Sequence, residues 1–278
     1  MIRIRMPSRI LRCFAWCFVL GGMLAGFASL TPARAAMMAE PVVVVELFTS
    51  QGCSSCPPAN EFLGELAERK GLLALSYHVD YWNYMGWKDP FSSAQMTQRQ
   101  RAYLPNLGQR YVFTPQMVID GTAQGEGASR SKIEALLVEA RKDIDKKLVI
   151  KVARGGINEV KVGLPARRMM EKKPADAPPA PMMKAATLWL VAYDTKHATE
   201  VLKGENSGRT INSYNVVRSI KPAATWQGKP MDVVLNLAEE IAAGYQNCAV
   251  LLQSGDGGRI LAAARLPMPV TIGGGSPD

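Results

Sequence analysis

The chain has 278 residues, of which 47% are hydrophobic and 21% are charged. This ordinary globular composition excludes a disordered or collagen-like protein. The net charge is +9, but five arginines lie in the first 35 residues, which hold no acidic residue, so 28 basic residues remain against 24 acidic ones. Such a small, scattered excess argues against nucleic-acid binding, which needs a clustered basic surface. The two histidines also exclude a metal site of three histidines within one chain.

Residues 1–35 have the three parts of a secretory signal. Four arginines in residues 1–12 precede the uncharged stretch 13–31, and small residues at positions −3 and −1 favour cleavage after Ala35. The alternative is an uncleaved anchor, because the apolar stretch approaches the roughly 20 residues that span a bilayer. We expect a periplasmic or secreted protein without membrane contact after cleavage, in a compartment where disulfides persist.

Three cysteines follow this segment, namely Cys53, Cys56 and Cys248. A disulfide framework would use more cysteines, and a structural zinc site would need a second closely spaced pair. The two-residue spacing of Cys53 and Cys56 therefore favours a redox pair. Cys248 lies in an apolar run, which is typical of an inert buried thiol, with an intermolecular bridge as the alternative.

The elements predicted for residues 41–147 alternate between strands and helices. Residues 42–48 form a β-branched apolar run of the kind that is buried on both faces of a sheet. A turn at residues 49–56 follows and holds the cysteine pair; we call it the cysteine turn. The prolines after it suit the start of a helix over 57–69. The later elements are strands at 72–79 and 116–120 and helices at 92–105 and 130–146. This alternation predicts an α/β sheet.

Residues 148–278 predict a different fold class. Gly155-Gly156 is typical of a two-residue hairpin turn, and the Pro- and charge-rich stretch 164–184 predicts a mobile loop. Short strands are expected at 186–193, 198–203, 209–219, 231–236, 247–253 and 259–265. Many short strands predict an all-β, sandwich-like domain. We therefore expect a domain boundary near residue 147.

The cysteine pair has a position suited to thiol chemistry. A cysteine attacks as the thiolate, and a thiol with the ordinary pKa of about 8.5 is mostly protonated near neutral pH. Cys53 is expected just before a helix, where unpaired N–H groups and the helix dipole favour an anion. Cys56 lies about one turn away, so it can resolve a mixed disulfide formed at Cys53. The alternative is a structural or metal-binding pair.

The order of these segments resembles the thioredoxin fold. The resemblance rests on VVVVELF, CSSC, a helix, a strand and TPQMVIDG. It implies that Pro115 is a cis-proline facing the redox pair and that Thr114 touches the exposed sulfur. The sequence alone would not predict a cis bond, because only about 5–6% of X–Pro bonds are cis. The resemblance also implies that Cys53 attacks and Cys56 resolves.

A closer resemblance covers most of the chain after residue 41. It is carried by ELFTSQGCSSCPPAN, HVDYWNYMGWKDPFSSAQMTQRQRAY, YVFTPQMVIDG and KGENSGRTINSYNVVRSI. These segments are similar to a family of secreted, thioredoxin-like bacterial proteins known as domain of unknown function 1223, which joins a thioredoxin-like region to a β-rich one. The resemblance implies fold and export, and redox activity only by inference. GENSGRT predicts a turn before a strand, with no chemistry assigned.

The chain departs from thioredoxin near the cysteines. Gly52 stands where thioredoxin has tryptophan, and Ser54-Ser55 stands where it has Gly-Pro. Because these positions tune the reduction potential, the sequence does not choose between oxidant, reductant and isomerase. Glu46 lies seven residues before Cys53, whereas thioredoxins keep a buried acid six residues before. Glu46 is a candidate base for the second cysteine, and the alternative is a structural acid on another face.

Aromatic residues are concentrated in residues 77–91. If the first two strands are parallel, this segment leaves the same sheet edge as the cysteine turn. Tyr81, Trp82 and Trp87 are therefore candidate substrate-binding residues, and ordinary packing is the alternative.

Copper binding is a competing interpretation of the same residues. Cys53, Cys56 and His78 supply ligand types found in Sco-type copper chaperones, although those use a longer cysteine spacing. Methionine pairs at 37–38, 169–170 and 182–183 add soft donors. A satisfied structural histidine is the simpler interpretation of His78.

The sequence thus predicts an exported thiol–disulfide oxidoreductase that forms mixed disulfides with a protein or small-thiol substrate and uses no cofactor. The alternatives are a periplasmic copper-binding module and a non-catalytic scaffold with a structural disulfide. The exchange role requires an accessible Cys53, so burial of this residue would argue against it.

Overall fold

The computed structural model describes residues 37–167 and 185–268. The predicted signal segment and most of the predicted loop at 164–184 lie outside this range. The strands are β1 Met37–Met38, β2 Val43–Thr49, β3 Leu72–His78, β4 Gln116–Ile119, β5 Ala123–Glu126, β6 Lys151–Arg154, β7 Glu159–Leu164, β8 Ala186–Val201, β9 Arg209–Trp226, β10 Met231–Asn236, β11 Asn247–Ser254 and β12 Ile260–Leu266. The α-helices are α1 Pro57–Ala67, α2 Ala94–Tyr103, α3 Arg130–Lys142 and α4 Ala238–Ala242, and short 3₁₀ turns occupy Asn83–Met85 and Ile144–Lys146.

Eight strands form one large sheet, in the order β12-β11-β8-β9-β3-β2-β4-β5. Its strand β2 is buried along its whole length and pairs parallel with β3 and antiparallel with β4. Strand β9 joins this group by a parallel pairing of Val216 with Ser76 of β3. Strands from both sides of residue 147 therefore share one sheet, and the division into two domains at that residue stays a prediction.

The two faces of the large sheet carry different helices. Val43, Val45 and Leu47 pack with the apolar residues of α1 and α3. Val44 and Phe48 point the other way and pack with residues of α2 and of strands β8, β9 and β11. Each fully buried aliphatic or phenyl side chain contributes about 1.5–3 kcal/mol, so this double-sided packing anchors β2 as the centre of the sheet.

The described residues also form a smaller sheet, with its strands in the order β1-β6-β7-β10. Its residues Val162 and Leu235 share an apolar core with Leu188 of β8 and Val250 of β11. The second half of the chain thus contains two sheets packed face to face. A mixed α/β protein that is rich in sheet is confirmed.

Several predicted strand limits are wrong. The strands expected at 186–193 and 198–203 are one strand, β8, and the strand expected at 209–219 extends to Trp226. The reason is that β8 and β9 pair from Ala186↔Trp226 to Val201↔Arg209. This long-range pairing keeps polar residues within the strands, whereas the local sequence pattern predicts that such residues end a strand. The hairpin at Gly155-Gly156 exists, but residues 155–158 form a four-residue loop.

Candidate functional site

Cys53 and Cys56 form a disulfide at the turn between β2 and α1, with their Cα atoms 5.4 Å apart. The Cys53 N–H donates to the Ser50 carbonyl over 3.2 Å, and the Cys56 N–H donates to the Cys53 carbonyl over 3.2 Å. These bonds form tight turns between the strand and the helix. The closely spaced cysteine pair expected from the sequence is thus confirmed as a bonded pair.

The start of α1 offers fewer free donors than the sequence suggested. Pro57 and Pro58 occupy the first two helical positions and have no N–H. The N–H groups of Ala59 and Asn60 both donate to the Cys56 carbonyl, over 3.0 and 3.1 Å. The polar group beside the sulfur of Cys53 is instead the Ser55 hydroxyl, at 3.3 Å.

Both cysteines are buried. Cys53 is 1% exposed and Cys56 is 0% exposed, whereas Ser54 and Ser55 between them are exposed. The accessible Cys53 that exchange requires is therefore not present in this conformation. A reaction at either sulfur needs the groups packed against this turn to move.

The cis-proline predicted by resemblance lies in the same neighbourhood. The Thr114–Pro115 peptide bond is cis. The indole N–H of Trp82 donates to the Thr114 hydroxyl over 2.8 Å. The Cβ of Trp82 also lies 3.2 Å from where a Cβ on Gly52 would stand. Trp82 therefore connects the cysteine turn to the Thr114–Pro115 loop, and a side chain at position 52 would crowd the Trp82 Cβ.

The other two aromatic candidates have their polar atoms engaged. The Trp87 indole N–H donates to the Gln51 side chain over 3.0 Å. The Tyr81 hydroxyl donates to the Gln100 side chain over 3.2 Å, and burial raises the pKa of Tyr81 to about 12. All three aromatic candidates are half-buried and lie in the segment that follows the end of β3. The structure thus places two of them, Trp82 and Trp87, against the cysteine turn.

His78 is bound to an acid that the sequence interpretation missed. The Nδ1 of His78 lies 2.7 Å from a carboxylate oxygen of Asp89, and that carboxylate also accepts N–H bonds from Gln51 and Phe91. Burial alone would raise the pKa of Asp89, but the electrostatic attraction to the His78 ring and these hydrogen bonds hold it below its usual value. Asp89 therefore fastens the aromatic segment to the cysteine turn. Its position between Lys88 and Pro90 gave no local signal of this role.

The described part of the chain contains no cluster of metal-ligating side chains that would support the copper interpretation. Over residues 37–167 and 185–268, no three His, Cys, Asp or Glu side chains come together as a metal site. Cys53 and Cys56 share a disulfide, and the Nδ1 of His78 is bound to Asp89. Met37 and Met38 are exposed on β1, and the methionine pairs at 169–170 and 182–183 lie outside the described residues.

The structure does not bring Glu46 to the cysteines. Glu46 lies between Val44 and Phe48 in the alternation of β2, so it faces away from α1, which begins beside Cys56. Its carboxylate, 0% exposed, accepts from the Arg99 guanidinium over 2.7 Å and from the Tyr103 hydroxyl. This matches the alternative interpretation of Glu46 as a structural acid.

The tip of the β8–β9 hairpin, residues 202–208, contacts the cysteine turn. The Asn206 side-chain amide donates to the carbonyls of Gln51 and Cys53, both over 2.9 Å. The Glu205 carboxylate accepts the Ser54 N–H over 3.1 Å. Sequence reasoning missed both residues, although they lie in the GENSGRT segment that the family resemblance includes.

The sequence profile of the family described as "Protein of unknown function (DUF1223)" matches residues 44–253, which include the cysteine turn and the hairpin tip. The chain belongs to this family. No curated protein matches it.

Two solved structures are similar to this DUF1223 chain. One is the crystal structure of a protein from Agrobacterium tumefaciens, 30% identical, with a TM-score of 0.67, over 82% of this chain and 95% of that one. The other is HBP35 of Porphyromonas gingivalis, 13% identical, with a TM-score of 0.51, over 85% of this chain and 79% of that one. At its low identity, the second likeness concerns the fold alone.

In residues 37–167 and 185–268, no helix is long and apolar enough to cross a bilayer. The Cys53–Cys56 disulfide is compatible with an oxidising extracellular compartment. The predicted signal lies outside the described residues.

Cys248 is expected to be unreactive in the folded protein. It is buried in the core between the two sheets, and burial raises the pKa of its thiol to about 12. Because the thiolate is the reactive form, we expect iodoacetamide at pH 8 to leave the Cys248 peptide unlabelled in native protein and to label it in urea. Peptide mass spectrometry measures both, and rapid labelling of the native protein would contradict the buried position.

Proposed function

We propose that this chain carries out thiol–disulfide exchange through Cys53 and Cys56, after export to an oxidising compartment. The observation that carries the proposal is the disulfide between a buried strand and a helix, connected through Trp82 to the Thr114–Pro115 loop. The expected partner is a protein or small thiol that forms a mixed disulfide. The export follows from the signal predicted for residues 1–35.

The topology of residues 41–147 supports a thioredoxin-like domain. The strands lie in the order β3-β2-β4-β5, with β3 and β2 parallel and with β4 antiparallel to both of its neighbours. Helices α1 and α3 pack on one face and α2 on the other. This is the arrangement that the resemblance to thioredoxin implies, with the cysteine turn at the start of the first helix.

The proposed reaction balances as two successive exchanges. In the reducing direction, the Cys53 thiolate attacks a partner disulfide, and one partner sulfur leaves as a thiolate. The Cys56 thiolate then attacks Cys53, which forms the internal disulfide and releases the second partner sulfur. The pair loses two electrons and the partner gains them; the oxidising direction is the reverse. The covalent chemistry needs no cofactor.

We assign the surrounding residues by their contacts. We assign Trp82 and Thr114 to contacts with a partner segment bound to Cys53, because Trp82 approaches Gly52 and bonds to Thr114, and we assign Pro115 to the same loop. Trp87 and Tyr81 belong to the same aromatic segment as Trp82, and we assign them to contacts with the same partner segment. Glu46 has no part in this proposal, because it lies on the other face of the sheet.

The second candidate is a non-catalytic scaffold with a structural disulfide. The burial of both sulfurs favours it. The two candidates differ in whether the native protein allows thiols to reach the bond, and this difference is measurable.

We expect reduced Cys56→Ala protein to form a mixed disulfide with oxidised glutathione at Cys53, because the thiol that would release the adduct is absent. Peptide mass spectrometry detects the adduct. The matched control, Cys53→Ala, lacks the attacking thiol of the proposed exchange and keeps only the resolving one, so it is expected to react at least about tenfold more slowly. In wild type, the pair is expected to shift between reduced and oxidised forms across physiological glutathione ratios. A native bridge that resists reduction, together with no adduct on Cys56→Ala, would establish the scaffold instead.

A further inference from the structure

We infer that the tip of the β8–β9 hairpin, residues 202–208, is a cap of the redox site whose displacement controls attack on the disulfide. The inference deepens the proposed function and rests on it for its biological meaning. Its physical content, slow attack on a covered disulfide, is testable without a partner protein.

Asn206 fastens the cap to the cysteine turn. Its side chain is 0% exposed, although it lies at the tip of a hairpin whose neighbours are exposed. Its amide donates to the backbone carbonyls of Gln51 and Cys53 on either side of Gly52, and the Asn206 side-chain oxygen accepts from Arg209 over 2.9 Å. A buried amide with its partners satisfied in this way holds both segments in one conformation.

Glu205 occupies a position suited to an anion. Its carboxylate accepts the N–H of Ser54, the residue after Cys53. When the cap is closed, this acid disfavours a second negative charge on the neighbouring sulfur. When the cap opens, the Ser54 N–H is released and the negative charge moves away. Opening therefore favours the thiolate as well as giving access to it.

Gly204 lets the cap lie against the aromatic segment. Its φ is +80°, and a Cβ there would lie 3.2 Å from the carbonyl oxygen of Met85 and 3.4 Å from the Cβ of Trp87. The tip therefore lies against the aromatic segment as well as against the cysteine turn. A glycine is required here by the backbone conformation and by the close approach.

The same hairpin tip is built to move. All of its residues except Asn206 are exposed, so the tip buries little apolar surface of its own. It is closed internally by the bonds from Ser207 N–H to Gly204 and from Gly208 N–H to Val201. Segments with few buried apolar contacts open at a lower free energy than the sheet to which they belong. Asn206 and Glu205 are thus the main polar contacts to be broken.

We expect Asn206→Ala to accelerate reduction of the native disulfide by tris(2-carboxyethyl)phosphine at least about tenfold, because two bonds that close the cap are lost. The rate is measured by quenching with a thiol-labelling reagent and peptide mass spectrometry. The matched control is Asn212→Ala, which removes a bond from the same hairpin to Glu61 of α1, away from the cysteine turn. Its reduction rate is expected to stay within about twofold of wild type.

Glu205→Gln supplies a second variant that keeps the fold, because position 205 is exposed. Glutamine keeps an acceptor for the Ser54 N–H and removes the charge. We expect the reduced variant to be alkylated at Cys53 about threefold faster at pH 7, with the difference fading at pH values where the wild-type thiol is ionised. Glu200→Gln removes an exposed acid from the same hairpin and is expected to leave that rate unchanged.

The proposed cap is rejected if the disulfide of Asn206→Ala is reduced at the wild-type rate, or if reduction of the Asn212→Ala disulfide is accelerated equally. If Asn206→Ala does not fold, the Glu205→Gln result decides, and an unchanged alkylation rate rejects the cap. These outcomes are separate from the proposed function. If Asn206→Ala accelerates reduction by the phosphine but Cys56→Ala forms no glutathione adduct, the cap is retained and the exchange role is rejected. If Cys56→Ala forms the adduct but Asn206→Ala is reduced at the wild-type rate, the exchange role is retained and the cap is rejected.

Discussion

Replacing Arg99 by leucine is expected to lower the free energy of unfolding by about 3–5 kcal/mol, because it leaves a buried carboxylate without its cation. The carboxylate is that of Glu46, which is 0% exposed and bonds to the Arg99 Nε over 2.7 Å. The Arg99 guanidinium also lies over the rings of Tyr77, Tyr103 and Trp189. The substitution therefore removes charge pairing and packing together.

The neighbouring groups cannot replace the lost cation. Burial, together with the charge of Glu46, raises the pKa of Tyr103 well above its usual value, so this hydroxyl stays protonated and donates to the carboxylate. The Gln253 amide donates to the same hydroxyl over 3.0 Å. Neutral donors of this kind solvate a carboxylate less well than a guanidinium does. The unpaired charge in the variant is therefore only partly compensated.

The double variant Glu46→Leu/Arg99→Leu is the control for this prediction. Removing both charges leaves no unpaired ion, so we expect it to recover most of the loss. Urea unfolding of the oxidised proteins measures both free energies. Equal losses in the single and double variants would show that packing of the arginine stem, rather than charge pairing, dominates.

The same network separates Glu46 from the proposed chemistry. We expect Glu46→Gln to lower stability while the folded protein keeps its wild-type rate of internal disulfide formation after Cys53 is modified. A slower rate at unchanged pH would return Glu46 to the site as a base. The geometry favours the first result, because the sheet lies between Glu46 and the start of α1.

Local sequence patterns predicted the elements around the cysteines. The β-branched run of β2 and the two prolines at the start of α1 are signals contained within a few residues, and both elements are present. The side that Glu46 faces was not predictable in this way. All seven residues of β2 are buried, so the polar–apolar alternation that normally reveals a face is missing.

The cap illustrates a different limit of the sequence. Asn206 reaches the carbonyl of Cys53 across 153 positions of the chain, through a hairpin whose arms are 16 and 18 residues long. Nothing in local periodicity encodes which surface a hairpin tip will contact. The family resemblance included the segment, yet only the register of β8 with β9 and of β9 with β3 brings it to the cysteines.

Substituting Gly257 by alanine is expected to cost roughly 4 kcal/mol of unfolding free energy, since strain and overpacking add. Gly257 lies in the loop between β11 and β12, with φ at +61°. A Cβ there would overlap the Ala102 carbonyl oxygen and would stand 2.8 Å from the Tyr103 backbone nitrogen. Because these are backbone atoms of α2, no side-chain rotation relieves the clash, and the end of the helix must move.

Gly244→Ala separates the two contributions to this effect. Gly244 has φ at +76°, but nothing lies within 4 Å of its added Cβ, so only the left-handed backbone is penalised, by about 1–2 kcal/mol. The difference between the two variants in urea unfolding therefore reports the contact of the β11–β12 loop with α2. Because Tyr103 ends that helix and donates to Glu46, the Gly257 variant should also disturb the buried charge pair. Near-equal losses at the two glycines would show that α2 shifts freely and that the loop does not hold it.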